Sequence, residues 1–119
     1  MAQLQQLLQP RELEELQEMV EKTHVSQDVV KYIVALVGAT RNDENILQGA
    51  SPRATLAVTA MAKAVAQLRG RDYVIPRDVQ EVFTYTVAHR LILSSKAQSM
   101  SAHQVLGQIL ERVPAPKLR

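Results

Sequence analysis

Apolar residues recur every three or four positions along most of this 119-residue chain, and no alternation of apolar and polar residues lasts more than a few positions. A repeat of this length places apolar side chains on one face of an α-helix, so the pattern predicts an all-α fold. We expect a compact bundle of four to five helices. Residues 1–119 are expected to form a single domain, with a compact core over about residues 10–113.

The first two predicted helices differ in how clearly they begin. The first begins near Pro10, and we assign no role to the Gln-rich segment before it. Its apolar stripe consists of Leu13, Leu16 and Val20. The second begins after Ser26, whose hydroxyl is suited to accept a hydrogen bond from a free backbone N–H of the first turn, and it should end near Arg41. Its predicted core residues are Val29, Ile33, Leu36 and Val37, with Val30 and Val34 beside them.

A polar loop over residues 42–49 separates the second helix from the third. Ser51 is the predicted N-cap of the third helix, and Pro52 suits its first position because proline has no N–H to leave unpaired. The helix should run to Arg69, where Gly70 provides a left-handed C-terminal cap. Its predicted inward face consists of Ala54, Ala57, Val58, Met61, Ala64, Val65 and Leu68.

Two further helices are predicted in the C-terminal half. Pro76 opens the fourth after a short extended link, and Asp78 lies in its first turn, where the helix dipole favours a carboxylate. Ser101 and Gln104 have the spacing of a capping box and start the last helix. The predicted inward residues of these two helices are Val79, Val82, Phe83, Val87, Val105, Ile109 and Leu110.

Composition narrows the chemistry that is open to the chain. Hydrophobic residues make up 46% of it and aromatic residues only 3%, so the core must be built from aliphatic side chains and alanine. The absence of cysteine excludes disulfides and thiolate catalysis. A net charge of +2, from 14 basic and 12 acidic residues, makes nucleic acid an unlikely partner. With no apolar run near membrane-spanning length and no secretion signal, we expect no membrane association and a cytoplasmic location.

No arrangement of residues supports catalysis by this chain alone. His24, His89 and His103 are too far apart in sequence for a local metal motif, so no metal site is predicted. The phosphate-binding GxxxxGK[ST] loop is absent, so the chain should not hydrolyse ATP unaided. From the residues alone, a stand-alone helical module that binds protein, or DNA through its basic helix ends, remains open.

Arginines stand at several predicted helix ends. Arg53 would lie at the positive end of the third helix dipole, where a cation costs about 0.3–1 kcal/mol unless an anion is near. Solvation or a structural ion pair is the favoured explanation for such residues, and we expect one or the other for four of the five arginines Arg41, Arg53, Arg71, Arg77 and Arg90. Arg90 falls on the inward face of the extrapolated fourth helix and is predicted to snorkel or to pair structurally.

Four segments, in this order, resemble the successive signatures of the C-terminal helical lid of MoxR-family AAA+ ATPases. They are Tyr32–Val37 leading into Ala39–Arg41, then Gly49–Ala54, Gly70–Val79 and Ala88–Leu91. The similarity covers roughly residues 13–113. The resemblance implies a lid that follows an α/β ATPase core absent from this chain and closes over its nucleotide.

The resemblance also implies roles for two residues. Arg53 matches the family's sensor 2 arginine, which contacts the γ-phosphate of ATP, in its own subunit or in a neighbouring one. Tyr32 lies on the helix that often flanks the adenine, although core packing is the favoured role for it. By the same resemblance ATP is the cofactor, its Mg²⁺ is held by the core domain, and the parent is a hexameric, chaperone-like ATPase, often partnered by von Willebrand factor A domain proteins.

Overall fold

Helices make up most of the part of the chain described by the computed structural model, residues 10–97 and 99–117. The helices are α1 (Pro10–Glu21), α2 (Gln27–Ala39), α3 (Arg53–Leu68), α4 (Pro76–Val87) and α5 (Ala102–Arg112). Two short strands, β1 (Ile46–Gln48) and β2 (Ile92–Leu93), and two 3₁₀ turns, Ala88–Arg90 and Ser95–Ala97, complete the described elements. The predicted helical fold is confirmed.

Helix α3 lies at the centre of the fold and contacts α1, α2 and α4, with its longest contact against α4. Its buried line consists of Ala54, Val58, Ala62 and Ala66, one residue from each turn. The predicted face is wrong in part, because Met61 and Leu68 are exposed. Small side chains on the buried line let the α3 and α4 backbones approach closely, and this leaves the larger residues of α3 at the sides.

The other predicted core faces are largely confirmed. Most of the inward residues proposed for α2 and α4 are buried: Val29, Ile33, Leu36, Val37, Val79, Val82, Phe83 and Val87. Val30 and Val34, which were placed beside the core of α2, are exposed. In α5, Val105 and Ile109 are buried, Leu110 is partly buried, and the buried Leu106 was not predicted. The proposed stripe Leu13, Leu16 and Val20 and the Gln-rich segment, residues 1–9, lie outside what the structure describes.

The loop predicted for residues 42–49 is wrong in part, because β1 lies within it. β1 pairs with β2 in antiparallel orientation, with Ile46 opposite Leu93 and Gln48 opposite Ile92. Ile46 is buried in the core, whereas Leu47 and Ile92 are exposed. Strands of three and two residues are too short to show a two-residue repeat, so the sequence pattern carried no signal for them.

Helix ends are set by local hydrogen bonds at the predicted positions. The Ser26 hydroxyl accepts from the Val29 N–H at 3.2 Å. The Gln104 N–H donates to the Ser101 hydroxyl at 3.2 Å, while the Ser101 N–H donates to the Gln104 side chain at 2.8 Å. Gly70 adopts φ +76°, the left-handed conformation expected after α3.

Asp78 is the buried anchor at the start of α4. Its carboxylate accepts two hydrogen bonds from Arg71, both at 2.7 Å, and one from the Ile75 N–H at 2.9 Å. Burial raises the pKa of Asp78, but the hydrogen bonds from Arg71 and the Ile75 N–H outweigh it and hold that pKa below its ordinary value. The predicted favourable position of this carboxylate is confirmed, and its ion pair ties the link before α4 to the helix itself.

Candidate functional site

The end of α2 is bonded directly to the segment that leads into α3. Thr40 is fully buried, and its hydroxyl donates to the Val37 carbonyl at 2.6 Å. The same hydroxyl accepts from the Ala50 N–H at 3.0 Å. Because the hydroxyl satisfies one backbone group on each side, it holds the segment before α3 against the end of α2.

Gly49 allows this close approach. A methyl group placed on it would lie 2.6 Å from the carbonyl oxygen of Thr40 and 2.8 Å from the Arg41 nitrogen. Both atoms belong to the backbone and have no side-chain torsion by which to move away. Glycine is therefore required by contact with the neighbouring backbone.

Arg41 makes a second link across the same turn. Its Nε donates to the Ala50 carbonyl at 3.1 Å, so the side chain is held over the turn although it is exposed. Thr40 and Arg41 thus bind the N–H and the carbonyl of one residue, Ala50. This arrangement fixes the backbone from which α3 begins.

The start of α3 differs from the prediction. The helix begins at Arg53 and Pro52 occupies the N-cap position, so the assignment of Ser51 as N-cap is wrong. The carbonyls of Ser51 and Pro52 accept from the N–H groups of Ala54 and Thr55 at 2.9 and 3.1 Å. These two backbone carbonyls therefore accept from N–H groups of the first turn, for which the Ser51 hydroxyl had been the predicted acceptor.

Arg53 is the first residue of α3 and is exposed. It forms no ion pair with any carboxylate in residues 10–97 and 99–117. Arg71 and Arg77, in contrast, pair with Asp78 and Glu81, as expected for structural arginines. The guanidinium of Arg53 is thus open to solvent beside the positive end of the helix dipole.

A cleft of about 580 Å³ lies next to this turn. Its lining residues are Arg41, Leu47, Gln48, Gly49, Ala50, Ser51 and Arg90. Arg90 belongs to the 3₁₀ turn after α4, is exposed, and has no ion pair within the described part of the chain. Of the two roles predicted for Arg90, the structural ion pair does not form among the described residues. Helix α4 ends at Val87, so the helical face on which the prediction relied does not extend to Arg90.

Tyr32, the second residue assigned to a nucleotide pocket, lies in the core. Its ring is 4% exposed, and its hydroxyl accepts from the Gln80 amide at 3.2 Å. The structure therefore accounts for Tyr32 by packing between α2 and α4, and contact with an adenine stays a prediction. Among the residues described, no group of three or more His, Asp and Glu side chains is arranged to hold a metal ion. None of the described helices is both long and apolar enough to span a membrane.

The arrangement of helices around an exposed arginine at the start of α3 is that of an AAA+ helical lid. Residues 38–111 match the AAA lid domain family, and the chain belongs to this family as the lid of a MoxR-type AAA+ ATPase. It is 38% identical to Chaperone MoxR1 of Mycobacterium tuberculosis over 98% of this chain and 34% of that protein. It is 34% identical to YeaC of Bacillus subtilis over 87% of this chain and 33% of that protein.

A solved structure has the same fold. The crystal structure of a candidate ATPase from Cytophaga hutchinsonii superposes with a TM-score of 0.80 at 36% identity, covering 87% of this chain and 34% of that one. The chain spans about a third of the length of the relatives it matches.

Arg53 was singled out from the sequence, whereas Thr40 and Gly49 were named only as parts of the resembling segments and were assigned no role. Thr40 and Gly49 act through contacts between residues nine and ten positions apart, which no helical repeat or cap pattern reveals. The available signal was weak: a polar residue at the buried end of α2, followed by a lone glycine just before a helix start.

Proposed function

We propose that this chain covers the nucleotide of a MoxR-type ATPase and that Arg53 is its sensor 2 arginine. The observation that carries the proposal is an exposed guanidinium on the first residue of α3 that pairs with no carboxylate in the described residues. Its family membership supports the same role. An exposed arginine without a carboxylate partner can form charge-assisted hydrogen bonds with a phosphate group that approaches it.

The residues present fit one part of an ATP site. The Arg53 guanidinium offers several N–H donors beside the positive end of the α3 dipole, a favourable place for a terminal phosphate. ATP, with Mg²⁺ held by the core domain, supplies the phosphoryl group that is transferred. Arg53 binds and orients the γ-phosphate and stabilises charge that develops on it.

Arg53 also couples the nucleotide to the position of the lid. The γ-phosphate is present in ATP and absent in ADP, so Arg53 contacts the two nucleotides differently. Such a difference in contact free energy shifts an open–closed equilibrium of the lid. The proposed parent is a cytoplasmic, hexameric, chaperone-like machine that acts on other proteins, with von Willebrand factor A domain proteins as candidate partners.

The test is the ATPase turnover of the complete parent protein carrying Arg53→Ala. We expect turnover to fall at least tenfold, because one preorganised charge contact is lost from the transition state. Arg77→Ala is the matched control, since Arg77 is an exposed arginine in the first turn of α4 and pairs only with Glu81 among the described residues. Equal turnover in the wild-type and Arg53→Ala proteins would contradict the assignment.

A second measurement concerns this chain alone. We expect negligible binding of ATP in a calorimetric titration, because one exposed arginine replaces none of the contacts that the core domain supplies. Tight binding by the isolated chain would contradict the division of the site between the two domains.

A further inference from the structure

Two arginines line the cleft beside β1 without a carboxylate to neutralise them. Arg41 is held by its Nε bond to the Ala50 carbonyl, which leaves the two terminal nitrogens of its guanidinium unused by that bond. Arg90 has neither an ion pair nor a side-chain hydrogen bond among the residues described. No lining residue of the cleft is acidic. The cleft is therefore a concentration of positive charge that fits an oxyanion.

An aliphatic rim on one side of the same cleft consists of Leu47, which is part of the lining, and Ile92, which pairs with the lining residue Gln48. Leu47 of β1 lines it and is 74% exposed, and Ile92 on the paired strand is 51% exposed. The neighbouring Ile46 is buried and Leu93 partly buried, so the strand pair turns one aliphatic face to the core and the other to solvent. Arginine is enriched at protein interfaces, and the buried centre of an interface is more apolar than the rest of the surface.

We propose that Arg41, Leu47, Arg90 and Ile92 form a docking surface for an acidic protein segment that carries an aliphatic side chain beside its carboxylates. The carboxylates bind the two guanidinium groups, and the aliphatic side chain packs on Leu47 and Ile92. A phosphate ion satisfies only the arginines and gains nothing from this rim, so a protein segment uses more of the surface. The proposal is independent of the role of Arg53.

The test is an NMR titration of the isotope-labelled chain with a blocked seven-residue peptide, Gly-Glu-Leu-Glu-Leu-Glu-Gly. We expect saturable shifts of the backbone amides of Leu47, Gln48 and Arg90. The matched peptide with glutamine in place of glutamate should bind about two- to thirtyfold more weakly, since each of the two exposed charge pairs contributes about 0.2–1 kcal/mol. A peptide with glycine in place of leucine should also bind more weakly, because it cannot pack on the aliphatic rim.

Variants of the chain locate the binding site. Arg90→Gln is expected to weaken peptide binding two- to threefold without disturbing the fold, because Arg90 makes no bond that the described structure needs. Arg41→Gln should weaken it as well, although loss of the bond to Ala50 also loosens the turn. Arg77→Gln is the matched control, an exposed arginine on α4, and should leave the affinity unchanged.

Three outcomes would overturn the proposal. Equal binding of the glutamate and glutamine peptides would remove the role of charge, and unchanged affinity in Arg90→Gln would place the site elsewhere. Sodium pyrophosphate titrated in place of the peptide distinguishes a phosphate site: tighter binding of pyrophosphate than of the acidic peptide at the same amides would overturn a protein partner. None of these outcomes depends on ATPase turnover, so failure here is separate from failure of the Arg53 assignment.

Discussion

The hydroxyl of Thr40 accepts a hydrogen bond from the backbone N–H of Ala50, and this contact joins the end of α2 to the start of the segment that carries Arg53. Both residues are buried, so neither group has water as an alternative partner. The position of the exposed arginine thus depends on a buried bond several residues before it. The contribution of this turn can therefore be measured by unfolding variants of the chain, without any nucleotide.

Thr40→Val removes the hydroxyl while keeping a side chain of the same shape. The buried Ala50 N–H is then left without a partner, and we expect the free energy of unfolding to fall by about 1–3 kcal/mol. Thr59→Val is the control, because the Thr59 hydroxyl only donates to the Thr55 carbonyl within α3 and the residue is half-buried. Its expected cost is within about 0.5 kcal/mol. Chemical denaturation of both variants measures the difference, and equal costs would contradict the role of Thr40.

Gly49→Ala is expected to destabilise the chain through contact with the Thr40 backbone. Relieving the 2.6 Å approach requires the turn to shift, at a cost of about 1–3 kcal/mol, as for other overpacked sites. Gly107→Ala in α5 is the control, because no atom lies within 4 Å of the added methyl group. It should instead stabilise the helix, by about 0.5–1 kcal/mol. In thermal unfolding, we expect the midpoint temperature to fall in Gly49→Ala and to rise in Gly107→Ala. An unchanged midpoint in Gly49→Ala would instead show that the turn moves freely.

The Arg71–Asp78 ion pair should contribute stability with a defined pH dependence. The pKa of Asp78 is lowered in the folded state, so its contribution is fully present above the ordinary value of about 3.9 and is lost as pH falls through the lower folded value. We expect the stability difference between the wild-type protein and Asp78→Asn to be constant from about pH 8 to pH 5 and to shrink below about pH 4. A difference that instead grew on acidification would contradict the lowered pKa.

Asp43 links the end of α5 to the loop before β1. Its carboxylate accepts from the Asn45 N–H at 2.8 Å and from Arg112 at 2.7 Å, and the aspartate is buried while the arginine is largely exposed. Arg112→Ala should therefore cost about 1 kcal/mol, because the buried carboxylate keeps its hydrogen bond from the Asn45 N–H and the head of Arg112 is largely exposed to solvent. Asp43→Ala should cost more, about 1–3 kcal/mol, because it also leaves the Asn45 N–H without its partner. Urea denaturation of the two variants gives the order, and a larger effect of Arg112→Ala would contradict it.

Features fixed by neighbours in sequence were predictable, and features fixed by contacts between distant residues were not. The caps at Ser26 and Ser101 involve residues three positions apart, and both were predicted correctly. The buried line of α3 depends instead on how closely α4 approaches, so Met61 and Leu68 were misplaced. The helical repeat also placed Arg90 on α4, although α4 ends at Val87.

The candidate site divides in the same way. Arg53 stood out because a cation at a helix start is locally unfavourable. The order of the surrounding motifs then indicated a nucleotide phosphate as its partner. Nothing local indicated that Ser51 would lose its capping role to a backbone turn. The pairing of β1 with β2, which places Gln48 opposite Ile92, was likewise not predictable from the helical repeat.

The small side chains along α3 have a mechanical consequence. With alanines at three of its four buried positions, α3 packs tightly on α4, and its 16 residues form a rod of about 24 Å. Arg53 stands at one end, and at the other the Gln67 amide donates to the Thr23 hydroxyl just after α1. Because a helix does not shorten along its axis, an axial displacement of Arg53 would reach Gln67 and its hydrogen bond to Thr23, so a movement begun at the arginine has a direct route to the residue that follows α1.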